Sequence, residues 1–421
     1  MNTEVLFITR LKGGYKREAI GKRQKSNPKP ETRSLKLAVR NPKLTTPNTH
    51  REMERRKMTR QWRFMFLQET YADFSIGTSP ALERGVMEGE SPNTVVLNVA
   101  PEDSFTVGVL DDPEKAIALN FCRQKGIVVR RRNTTGGTIY TAKGSAVICY
   151  YLQIADPAVP RTIGEAFPRI LGDFAEAAQN LFGFPAKYRP LNDVEVEGRK
   201  LMPSSCKVER DTLVFRLVLN VKPQNVEVTS QAILLPPEKV QDKTLKTVEE
   251  RMTHLEREAG REITYQDLEN YVRKAVHLSF GEVELVSGEM TPNEKKYWRE
   301  FRELYSRDSW FLANSEAYRF KKIPPEAKRG EKRVKAVAGL IRVIVQKHEN
   351  RIYDIILTGD FHPRPHTILG DMESALRGAP VLPEEIHRRI GEVYHRPGVE
   401  ISGTTPEDFS SAVLGALEKT S

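Results

Sequence analysis

A run of arginines followed by glycines is the first segment of this sequence whose residue types could do chemistry. The stretch RRRNTTGGTIYT extends from Arg130 to Thr141. Arginine guanidinium groups bind carboxylates and phosphates through paired hydrogen bonds, and glycine lets a loop backbone approach a ligand closely. Such a loop can hold an anion with side chains and backbone N–H groups together. An exposed basic strand end followed by an ordinary turn is the alternative interpretation.

A second group of polar residues lies further along the chain. Asn192 and Asp193 precede VEVEGRK, which ends in Lys200 and is followed by LMPSSC, ending in Cys206. A lysine that starts a strand can point one ammonium group at a bound anion. Asp193 can bind an amine or a hydroxyl, or help to hold magnesium. A surface lysine in a hairpin and a small buried cysteine are the alternatives.

Several large enzyme classes are excluded by what the sequence lacks. No histidine occurs between His50 and His254. This stretch therefore cannot hold a Ser-His-Asp triad or a histidine-ligated metal, and it offers no histidine to activate a cysteine nucleophile. The sequence also has no CxxC pair, no phosphate loop ending in GK[ST], and no GxGxxG motif after a strand.

The positive charge of the chain is concentrated at its N-terminal end. The 421 residues have a formal net charge of +10, and residues 1–60 hold 17 Lys and Arg against 5 Asp and Glu. The remaining 49 basic and 51 acidic residues nearly balance, which argues against nucleic-acid binding by a folded domain. Residues 1–60 are predicted to be a disordered basic tail, or to precede the true start at Met58.

Cysteine usage and the lengths of the apolar runs indicate the compartment. The cysteines Cys122, Cys149 and Cys206 are too few and too scattered for a disulfide framework, so a reducing cytoplasm is expected. No apolar run approaches the length of a membrane span, so no membrane partner is expected.

The elements that would position the polar residues follow from apolar spacing. A partly helical segment is predicted over residues 71–87, and a helix with one apolar face from Ile163 to Phe182. Pro113 is predicted to open a helix that Gly126 ends, and residues 236–305 are predicted to be mostly helical, with starts at Thr264 and Thr291. The predicted strands are TVVLNV (94–99), FTVGV (105–109), IVVRR (127–131), a hairpin over 138–154 that turns near Lys143-Gly144, and the runs 194–196, 201–202 and 213–219.

A second, smaller unit follows a charged segment. Pro324-Pro325 and the run KRGEKR predict a linker over residues 321–333. Beyond it, VAGLIRVIVQ and IYDIILTGDF flank an HENR turn and predict a hairpin, with helices starting near Asp371, Pro383 and Pro406. Strands precede helices within two separate units. The predicted class is therefore α+β, with domains over residues 61–320 and 334–421.

In their order, these motifs resemble those of the biotin and lipoate ligase family, and of lipoate–protein ligases in particular. That family carries an arginine pair, a Ser or Thr with three glycines, an Asn-Asp strand, and a Gly-(Arg/Lys)-Lys motif before a small-residue stretch. This chain offers RRNTTGGTIYT and NDVEVEGRKLMPSSCK, and Gly359-Asp360-Phe361 matches the GDF motif of the accessory domain. The resemblance implies a mixed, mostly antiparallel sheet flanked by helices in residues 61–320, with an accessory α+β domain in residues 334–421.

The resemblance also implies a reaction. Lipoate or octanoate would be activated with ATP and magnesium to an acyl adenylate. The acyl group would pass to a lysine of a lipoyl-carrier domain, in a 2-oxoacid dehydrogenase E2 subunit or a glycine-cleavage H-like protein. In this pattern Lys200 is the catalytic lysine that contacts carboxylate and adenylate oxygens. The residues implied to bind the acyl adenylate are Arg131, Arg132, Thr134, Gly136, Gly137, Asn192 and Asp193, with Asp193 as the magnesium ligand and Arg216, Ser204 and Cys206 in secondary positions.

Four departures from the family pattern are visible. Thr135 replaces the first glycine of the triple, and Thr141 stands where the family often has histidine. Pro203-Ser204-Ser205 replaces Gly-Ser-Ala, and Phe215-Arg216 falls where His-His-Gly is common. These departures affect residues of the implied site and leave the expected fold unchanged.

Three other functions stay open on the sequence. The chain could be an ATP-independent octanoyl or lipoyl transferase that uses Cys206 or Cys149 through a thioester. It could be a non-catalytic protein that binds acylated carriers with an inherited pocket. It could also bind nucleic acid through its basic tail, in which case binding would weaken steeply with salt.

Overall fold

Runs of strands and runs of helices follow one another along the chain in the computed structural model. The structure describes residues 60–190, 192–234, 251–337, 339–359, 361, 363–365, 367–401 and 403–420. Its strands, in chain order, are β1 (Arg60–Leu67), β2 (Thr94–Val99), β3 (Ser104–Val107), β4 (Val128–Arg131), β5 (Ile139–Thr141), β6 (Ala146–Gln153), β7 (Ala186–Arg189), β8 (Asp193–Val196), β9 (Arg199–Glu209), β10 (Thr212–Leu219), β11 (Val283–Ser287), β12 (Lys328–Ala336), β13 (Gly339–His348) and β14 (Arg351–Gly359). Its helices are α1 (Tyr71–Ile76), α2 (Thr78–Met87), α3 (Pro113–Ala116), α4 (Leu119–Gln124), α5 (Ile163–Phe182), α6 (Val226–Ala232), α7 (Leu255–Ala259), α8 (Tyr265–Phe280), α9 (Pro292–Tyr305), α10 (Asp308–Phe311), α11 (Glu316–Arg319), α12 (Ile368–Leu376), α13 (Pro383–Tyr394) and α14 (Pro406–Glu418).

A large mixed sheet is the framework of the part of the chain before α9. Among the described residues it has eight strands, in the order β11-β1-β2-β6-β10-β9-β8-β7. Strand β1 runs parallel to both β2 and β11, and the other neighbours are antiparallel. The α+β class, with a mixed and mostly antiparallel sheet flanked by helices, is confirmed.

Helices cover both faces of this sheet, so that strand β10 is buried on both sides. Successive residues of a strand point to opposite faces. Leu213, Phe215 and Leu217 belong to the core on one face, here called the first face, which packs against α5 and α8. Val214 and Val218 belong to the core on the second face, which packs against α1 and α2. Every residue of β10 is buried, which explains its nearly continuous apolar sequence.

A smaller sheet carries the arginine-rich segment. Strands β4 and β5 both pair with β3. The prediction of a hairpin over residues 138–154 is therefore wrong. The chain turns at Gly144, which has φ +83°, but β6 pairs with β2 and β10 in the large sheet. Both edges of β6 are occupied by other strands, which leaves no edge for β5.

The predicted helix starts at Thr264 and Thr291 correspond to observed caps, whereas the helix predicted from Pro113 is interrupted after Ala116 and the one predicted near Asp371 begins at Ile368. Helix α5 has the predicted limits, and α8 and α9 follow Thr264 and Thr291 as N-caps. Each of these threonines forms a capping box with a carboxylate three residues later. The helical prediction over residues 236–250 lies outside the described residues. Over the part of the chain that the structure describes, no helix combines the length and the apolar character needed to cross a membrane.

The chain from residue 328 onward forms an antiparallel sheet in the order β12-β13-β14, packed against α12, α13 and α14. The predicted second hairpin, β13 and β14, is confirmed. The linker prediction is wrong for residues 328–333, because the run KRGEKR lies in strand β12. Strand β12 is at an edge of its sheet, and charged side chains are typical of edge strands. Of the GDF motif, Phe361 lies in the core of this unit and Asp360 lies outside the described residues.

Candidate active site

The arginine loop, residues 130–137, is organised around the guanidinium of Arg132. That side chain is buried, and burial lowers its pKa. Its Nε donates to Thr134 Oγ1 at 3.1 Å, and its Nη1 donates to the carbonyl and the hydroxyl of Thr106, each at 3.2 Å. Its Nη2 donates at 2.8 to 2.9 Å to three successive loop carbonyls, those of Thr135, Gly136 and Gly137. One buried arginine thus fixes the curvature of the glycine segment.

A glycine that the sequence patterns do not identify packs against this loop. A Cβ atom on Gly108 would lie 1.7 Å from the carbonyl oxygen of Gly136, so only glycine fits there. Gly136 itself has φ +92°, in the left-handed region. A Cβ atom on Gly137 would meet nothing within 4 Å. The loop is therefore closely packed on the Gly108 side and open at Gly137.

Arg131 makes a different set of contacts. Its guanidinium donates to the carbonyl of Trp310 at 2.6 Å and to that of Val109, and it lies 5.0 Å from the centre of the Trp310 ring. The Trp310 indole N–H donates back to the Arg131 carbonyl at 2.8 Å. Burial lowers the pKa of Arg131 to about 10. Arg131 therefore ties strand β4 to Trp310 and to the chain that follows β3.

Lys200 and Asp193 form an ion pair where strand β9 begins. The Nζ–Oδ2 distance is 2.8 Å, and the side chains are 34% and 13% exposed. Among the described residues, Asp193 is the only side-chain partner of the Lys200 ammonium, and no contact joins Lys200 to the arginine loop. The other oxygen of Asp193, Oδ1, is buried and has no hydrogen-bond partner in the described part of the chain. A buried oxygen without a partner is uncommon in proteins, so it marks a place where a ligand group can bind.

Asn192 fastens the turn before β8 to strand β9. Its Nδ2 donates to the Ser204 carbonyl at 2.6 Å. Its own carbonyl accepts hydrogen bonds from the Ser204 backbone N–H at 2.9 Å and from the Ser204 hydroxyl at 2.8 Å. These bonds hold Asp193 opposite Pro203 in the β8–β9 register. Asn192 and Ser204 therefore position the Lys200–Asp193 pair.

The Arg216 cluster, defined as Ser79, Glu83, Lys207 and Arg216, joins helix α2 to strands β9 and β10. Arg216 Nη2 donates to Glu83 Oε2 at 2.7 Å, and both side chains are 7% exposed. Lys207 Nζ lies 2.5 Å from Glu83 Oε1, and Ser79 Oγ accepts from Arg216 at 3.3 Å. Burial raises the pKa of Glu83, but the two cations outweigh burial. The pKa of Glu83 therefore lies below its ordinary value.

Strand alternation places both ion pairs on the second face of the large sheet. Arg216 lies opposite Ser205 on β9, and Asp193 lies opposite Pro203, two residues earlier on the same strand. Strands are about 4.8 Å apart and residues rise about 3.3 Å, so the Cα atoms of Asp193 and Arg216 are roughly 12 Å apart. Ser205 is exposed between them. We call this open stretch the second-face groove, lined by Asp193, Lys200, Pro203, Ser205 and Arg216.

The arginine loop lies near the Arg216 end of this groove. Burial raises the pKa of Tyr71 in α1. The positive charges of Arg132 and Arg216 both oppose that rise, so both guanidinium groups lie near the Tyr71 side chain. On β5, Ile139 packs against the core that contains Tyr71, and Thr141 points the same way two residues later. Among the described residues, the buried hydroxyl of Thr141 has no hydrogen-bond partner. The arginine loop and Arg216 therefore lie near one another, and the Lys200–Asp193 pair lies at the other end of the groove.

Neither Cys149 nor Cys206 is suited to nucleophilic attack. Burial raises the pKa of Cys149 to about 11 and that of Cys206 to about 12. Cys206 also lies opposite Phe215 and packs against the first-face core, away from the groove. The thiolate is the nucleophilic form, and it is scarcely populated at neutral pH with these pKa values. The cysteine-dependent transferase is thereby disfavoured.

A magnesium ion at this site would have a single protein carboxylate. In the described part of the chain, no three His, Cys, Asp or Glu side chains come together as a metal site. Magnesium is usually bound by one or two carboxylates together with substrate phosphates and water. The unpartnered Oδ1 of Asp193 fits that pattern.

The sequence patterns do not identify Thr106, Glu83 or Lys207 as site residues. Glu83 follows Ser79 by four residues on α2, a spacing that puts both on one helix face. Lys207 follows Ser205 by two residues on β9, so the two share a strand face. These spacings indicate shared faces, but Glu83 and its partner on β10 are 133 positions apart, and no local pattern joins them.

Comparison with known proteins places this chain in a family. Residues 78–277, which include the groove, the arginine loop and the Arg216 cluster, match the model of the lipoyl protein ligase A/B catalytic domain. Over 79 residues, 19% of the chain, it is 40% identical to lipoate–protein ligase A subunit 2 of Thermoplasma acidophilum and covers 81% of that protein. The chain belongs to the lipoate–protein ligase family. The resemblance seen in the sequence is confirmed, and the chain is a lipoate–protein ligase enzyme.

Further relatives extend the likeness over most of the ligase. Lipoate–protein ligase 2 of Staphylococcus aureus is 24% identical over 290 residues, which are 66% of this ligase and 78% of that protein. The crystal structure of P. falciparum LipL1 in complex with lipoate has a TM-score of 0.61 at 13% identity, covering 85% of this ligase and 99% of that chain.

Two further solved structures share the fold at a lower score. Lipoate–protein ligase A bound with ATP has a TM-score of 0.50 at 14% identity, over 60% of this ligase and 98% of that chain. The bi-partite ligase of T. acidophilum, analysed with its E2 lipoyl domain, has a TM-score of 0.51 at 17% identity, over 60% of this ligase and 96% of that chain. At these identities the structural likenesses show a shared fold.

Proposed function

We propose that this ligase activates lipoate, or a related medium-chain acid, with ATP and attaches the acyl group to a lysine of a lipoyl-carrier domain. A carboxylate oxygen of the acid attacks the α-phosphorus of ATP, and pyrophosphate leaves. The carrier lysine amine then attacks the carbonyl carbon of the acyl adenylate, AMP leaves, and the nitrogen releases a proton. The observation that carries this proposal is the Lys200–Asp193 pair at the open end of the second-face groove, in a chain of this family.

Lys200 supplies positive charge at the reacting groups. The carboxylate and the α-phosphate repel each other, and an ammonium group beside both offsets that repulsion as charge develops in the transition state. Asp193 holds the ammonium at 2.8 Å, yet the lysine side chain keeps 34% of its surface exposed. The ammonium is therefore both oriented and accessible to substrate.

The arginine loop contributes backbone groups to binding. All three guanidinium nitrogens of Arg132 donate to the protein itself. We therefore assign Arg132 to shaping the loop, so that Thr134, Gly136 and Gly137 lie beside the adenylate with backbone N–H groups available to its phosphate. Arg131 holds the adjoining strand β4 through Trp310.

The relatives support the choice of cosubstrate and partner. Solved structures that share the fold include one bound with ATP, one in complex with lipoate, and one studied with its E2 lipoyl domain. We propose ATP as cosubstrate and the lipoyl domain of an E2 subunit or an H-like protein as acceptor. Magnesium, held by Asp193 and the nucleotide phosphates, would offset phosphate charge when bound.

The same proposal assigns different roles to the two domains of the chain. We assign catalysis to residues 61–320 and an accessory role to the C-terminal unit, residues 334–421. The separate match of a second ligase subunit over 79 residues supports such a division. The cytoplasm is the proposed compartment, because the three cysteines are free thiols.

A reconstituted reaction tests the proposal. The purified ligase is mixed with ATP, magnesium, lipoate and either an E2 lipoyl domain or an H-like protein. We expect pyrophosphate release and a mass gain of one lipoyl group on the carrier. Comparing the two carriers identifies the acceptor. A folded ligase that releases no pyrophosphate with lipoate or octanoate would refute the proposal.

Two lysine variants show whether Lys200, in the second-face groove, contributes to catalysis. Lys200→Ala should slow pyrophosphate release by about 10²- to 10³-fold, because the charge aimed at the transition state is lost. Lys187→Ala, which removes an exposed lysine from β7 of the same sheet, is the matched control and should keep the wild-type rate. Equal rates for the two variants would count against the assigned role of Lys200.

A further inference from the structure

Two side chains between the large sheet and the C-terminal unit hold the arginine loop at two points. Trp310 lies in α10, and Asn314 follows it by four residues. The Trp310 indole N–H donates to the carbonyl of Arg131, where β4 ends, at 2.8 Å. The Asn314 amide donates to the carbonyl of Val109, in the segment that follows β3, at 2.9 Å. We call Trp310 and Asn314 the loop clamp.

Both residues that the loop clamp holds are connected to the glycines of the loop. The Val109 N–H donates to the carbonyl of Thr134 at 2.9 Å. Arg131 directly precedes Arg132, whose guanidinium binds the carbonyls of residues 135–137. A shift of Arg131 or Val109 would therefore displace the backbone N–H groups that we assign to the phosphate of the adenylate.

The Arg131 carbonyl lies on the open edge of its sheet. Among the described strands, β4 is at an edge of the order β4-β3-β5. The Arg132 N–H donates to the Val107 carbonyl of β3 at 3.0 Å, so the neighbouring Arg131 presents its backbone groups to the opposite edge. Trp310 provides the donor that this carbonyl needs. Arg131 Nη1 donates back to the Trp310 carbonyl at 2.6 Å, and the two bonds fix the indole against the strand.

Trp310 is held in turn by packed neighbours. Its ring lies 4.4 Å from the ring of Tyr305, the last residue of α9, and packs against the hydrophobic core of the C-terminal unit. Both members of the loop clamp lie beyond residues 78–277, the part of the chain that matches the family model. The loop clamp is therefore well anchored, whereas the loop that it holds is open at Gly137.

We propose that Trp310 and Asn314 are positioning residues for nucleotide binding. They act through Arg131 and Val109, and they hold the backbone N–H groups of the loop in the arrangement that receives the phosphates of ATP. Neither side chain contacts the acid in this assignment, so the loss of either one should affect ATP and spare lipoate. This inference rests on the proposed function, which places the nucleotide beside the loop.

Trp310→Phe tests the loop clamp with a small change. Phenylalanine keeps an aromatic ring beside Tyr305 but has no N–H to donate to the Arg131 carbonyl. We expect KM for ATP to rise about tenfold in the pyrophosphate-release assay, because the loop loses a fixed point, while KM for lipoate stays unchanged. Trp298→Phe is the matched control. It makes the same exchange in α9, where the indole packs against Gly77, and should keep both wild-type KM values.

Asn314→Ala tests the other point of the loop clamp and keeps the proposal testable if Trp310→Phe does not fold. The Val109 carbonyl keeps its bond from Arg131 in this variant, so no buried acceptor is left unpaired. KM for ATP should rise about fivefold, again with KM for lipoate unchanged. A purely structural role would instead reduce the amount of folded enzyme, which lowers kcat and leaves both KM values as in the wild type.

Binding is measured apart from turnover, so that the inference and the proposed function can fail independently. The rise in melting temperature is recorded with ATP and magnesium alone, and with lipoate alone. A rise with ATP that is smaller in both variants than in the wild type, with an unchanged rise for lipoate, would support the inference. If no protein then released pyrophosphate, the reaction alone would be refuted.

Three results would overturn the inference. The first is a folded Trp310→Phe or Asn314→Ala ligase that matches the wild type in both the ATP-induced rise and KM for ATP. The second is an equal loss of ATP and lipoate binding, which indicates a general loss of structure. The third is failure of both variants to fold, since the two side chains would then serve stability and not nucleotide binding.

Discussion

Two cation–carboxylate pairs on one face of the same sheet differ mainly in burial. The Lys200–Asp193 and Arg216–Glu83 pairs are 2.8 and 2.7 Å long, but the lysine is 34% exposed and the arginine 7%. An exposed pair contributes little to stability because water screens it. A buried pair cannot lose one member without leaving an unpaired charge in the protein. Distance alone therefore does not distinguish the two pairs, whereas burial does: Lys200–Asp193 is accessible and Arg216–Glu83 is not.

The largest expected effect is on the buried pair. Arg216→Ala should lower the free energy of unfolding by about 3 kcal/mol, because Glu83 would lose its buried guanidinium and keep only the more exposed Lys207 as a cation. Urea denaturation measures this change. Glu83→Leu with Arg216→Met is the control and should recover most of the loss, since no unpaired charge remains. A variant Arg216→Ala as stable as the wild type would remove the distinction between the two pairs.

The more exposed pair, Lys200–Asp193, should give the opposite result. Asp193→Asn should change the free energy of unfolding by less than about 1 kcal/mol. The same change should slow pyrophosphate release by about 10- to 100-fold, because Lys200 loses its orienting carboxylate and the proposed magnesium site loses its ligand. Both quantities are measured on one preparation. A stability loss as large as that of Arg216→Ala, with an unchanged rate, would reverse the roles assigned to the two pairs.

Two glycines at the arginine loop differ in packing: Gly108 is closely packed, and Gly137 has open space around it. Gly108→Ala should cost about 1–3 kcal/mol of unfolding free energy, because its Cβ atom would overlap the Gly136 carbonyl. Gly137→Ala is the matched control, with open space for the added atom, and should stay within about 1 kcal/mol of the wild type. Urea denaturation of both variants checks the pair of values. Equal losses would show that the loop is not packed as described.

Lowering the pH should reduce the stabilisation by the Arg216–Glu83 pair, because Glu83 becomes protonated. The pKa of Glu83 is lower in the folded protein than its ordinary value of 4.5, so the unfolded chain binds the proton more readily. The stabilisation is therefore complete above the ordinary pKa and is lost as the pH falls through the folded-state pKa. Urea midpoints between neutral and acidic pH should fall less steeply in the Glu83→Leu, Arg216→Met variant than in the wild type. Parallel curves would contradict the contribution of Glu83.

The parts of the fold that the sequence predicts are those that depend on neighbouring residues. Helix α5 and the caps Thr264 and Thr291 are correct, because apolar spacing and capping act within a few residues. Strand β5 lies next to β6 in sequence but pairs with β3, since β6 already has partners on both sides. The short edge strands β7 and β11 have no pattern strong enough to predict them. Which strand pairs with which is decided by the whole sheet.

In the candidate site, too, the sequence predicts groupings of nearby residues but not the partners that are distant in sequence. Motif order predicts that Lys200 and Asp193 belong together, and that Arg132 belongs with the glycines of its loop; both groupings are present in the structure. The partner of Arg216 is 133 positions away and that of Arg131 is 179 positions away. The sequence shows only that residues 131 and 216 are arginines. Their burial and their partners depend on contacts that only the folded chain provides.

The segment next to Gly108 belongs to two parts of the molecule at once. Val109 and Leu110 follow the glycine that packs against the arginine loop, yet their side chains lie in the hydrophobic core of the C-terminal unit. Asn314 donates to the Val109 carbonyl at 2.9 Å and fastens the same segment from the other side. A proteolytic nick near Pro324 would therefore leave two fragments held together by a shared core. A gene divided at that point would give two polypeptides that associate as a heterodimer.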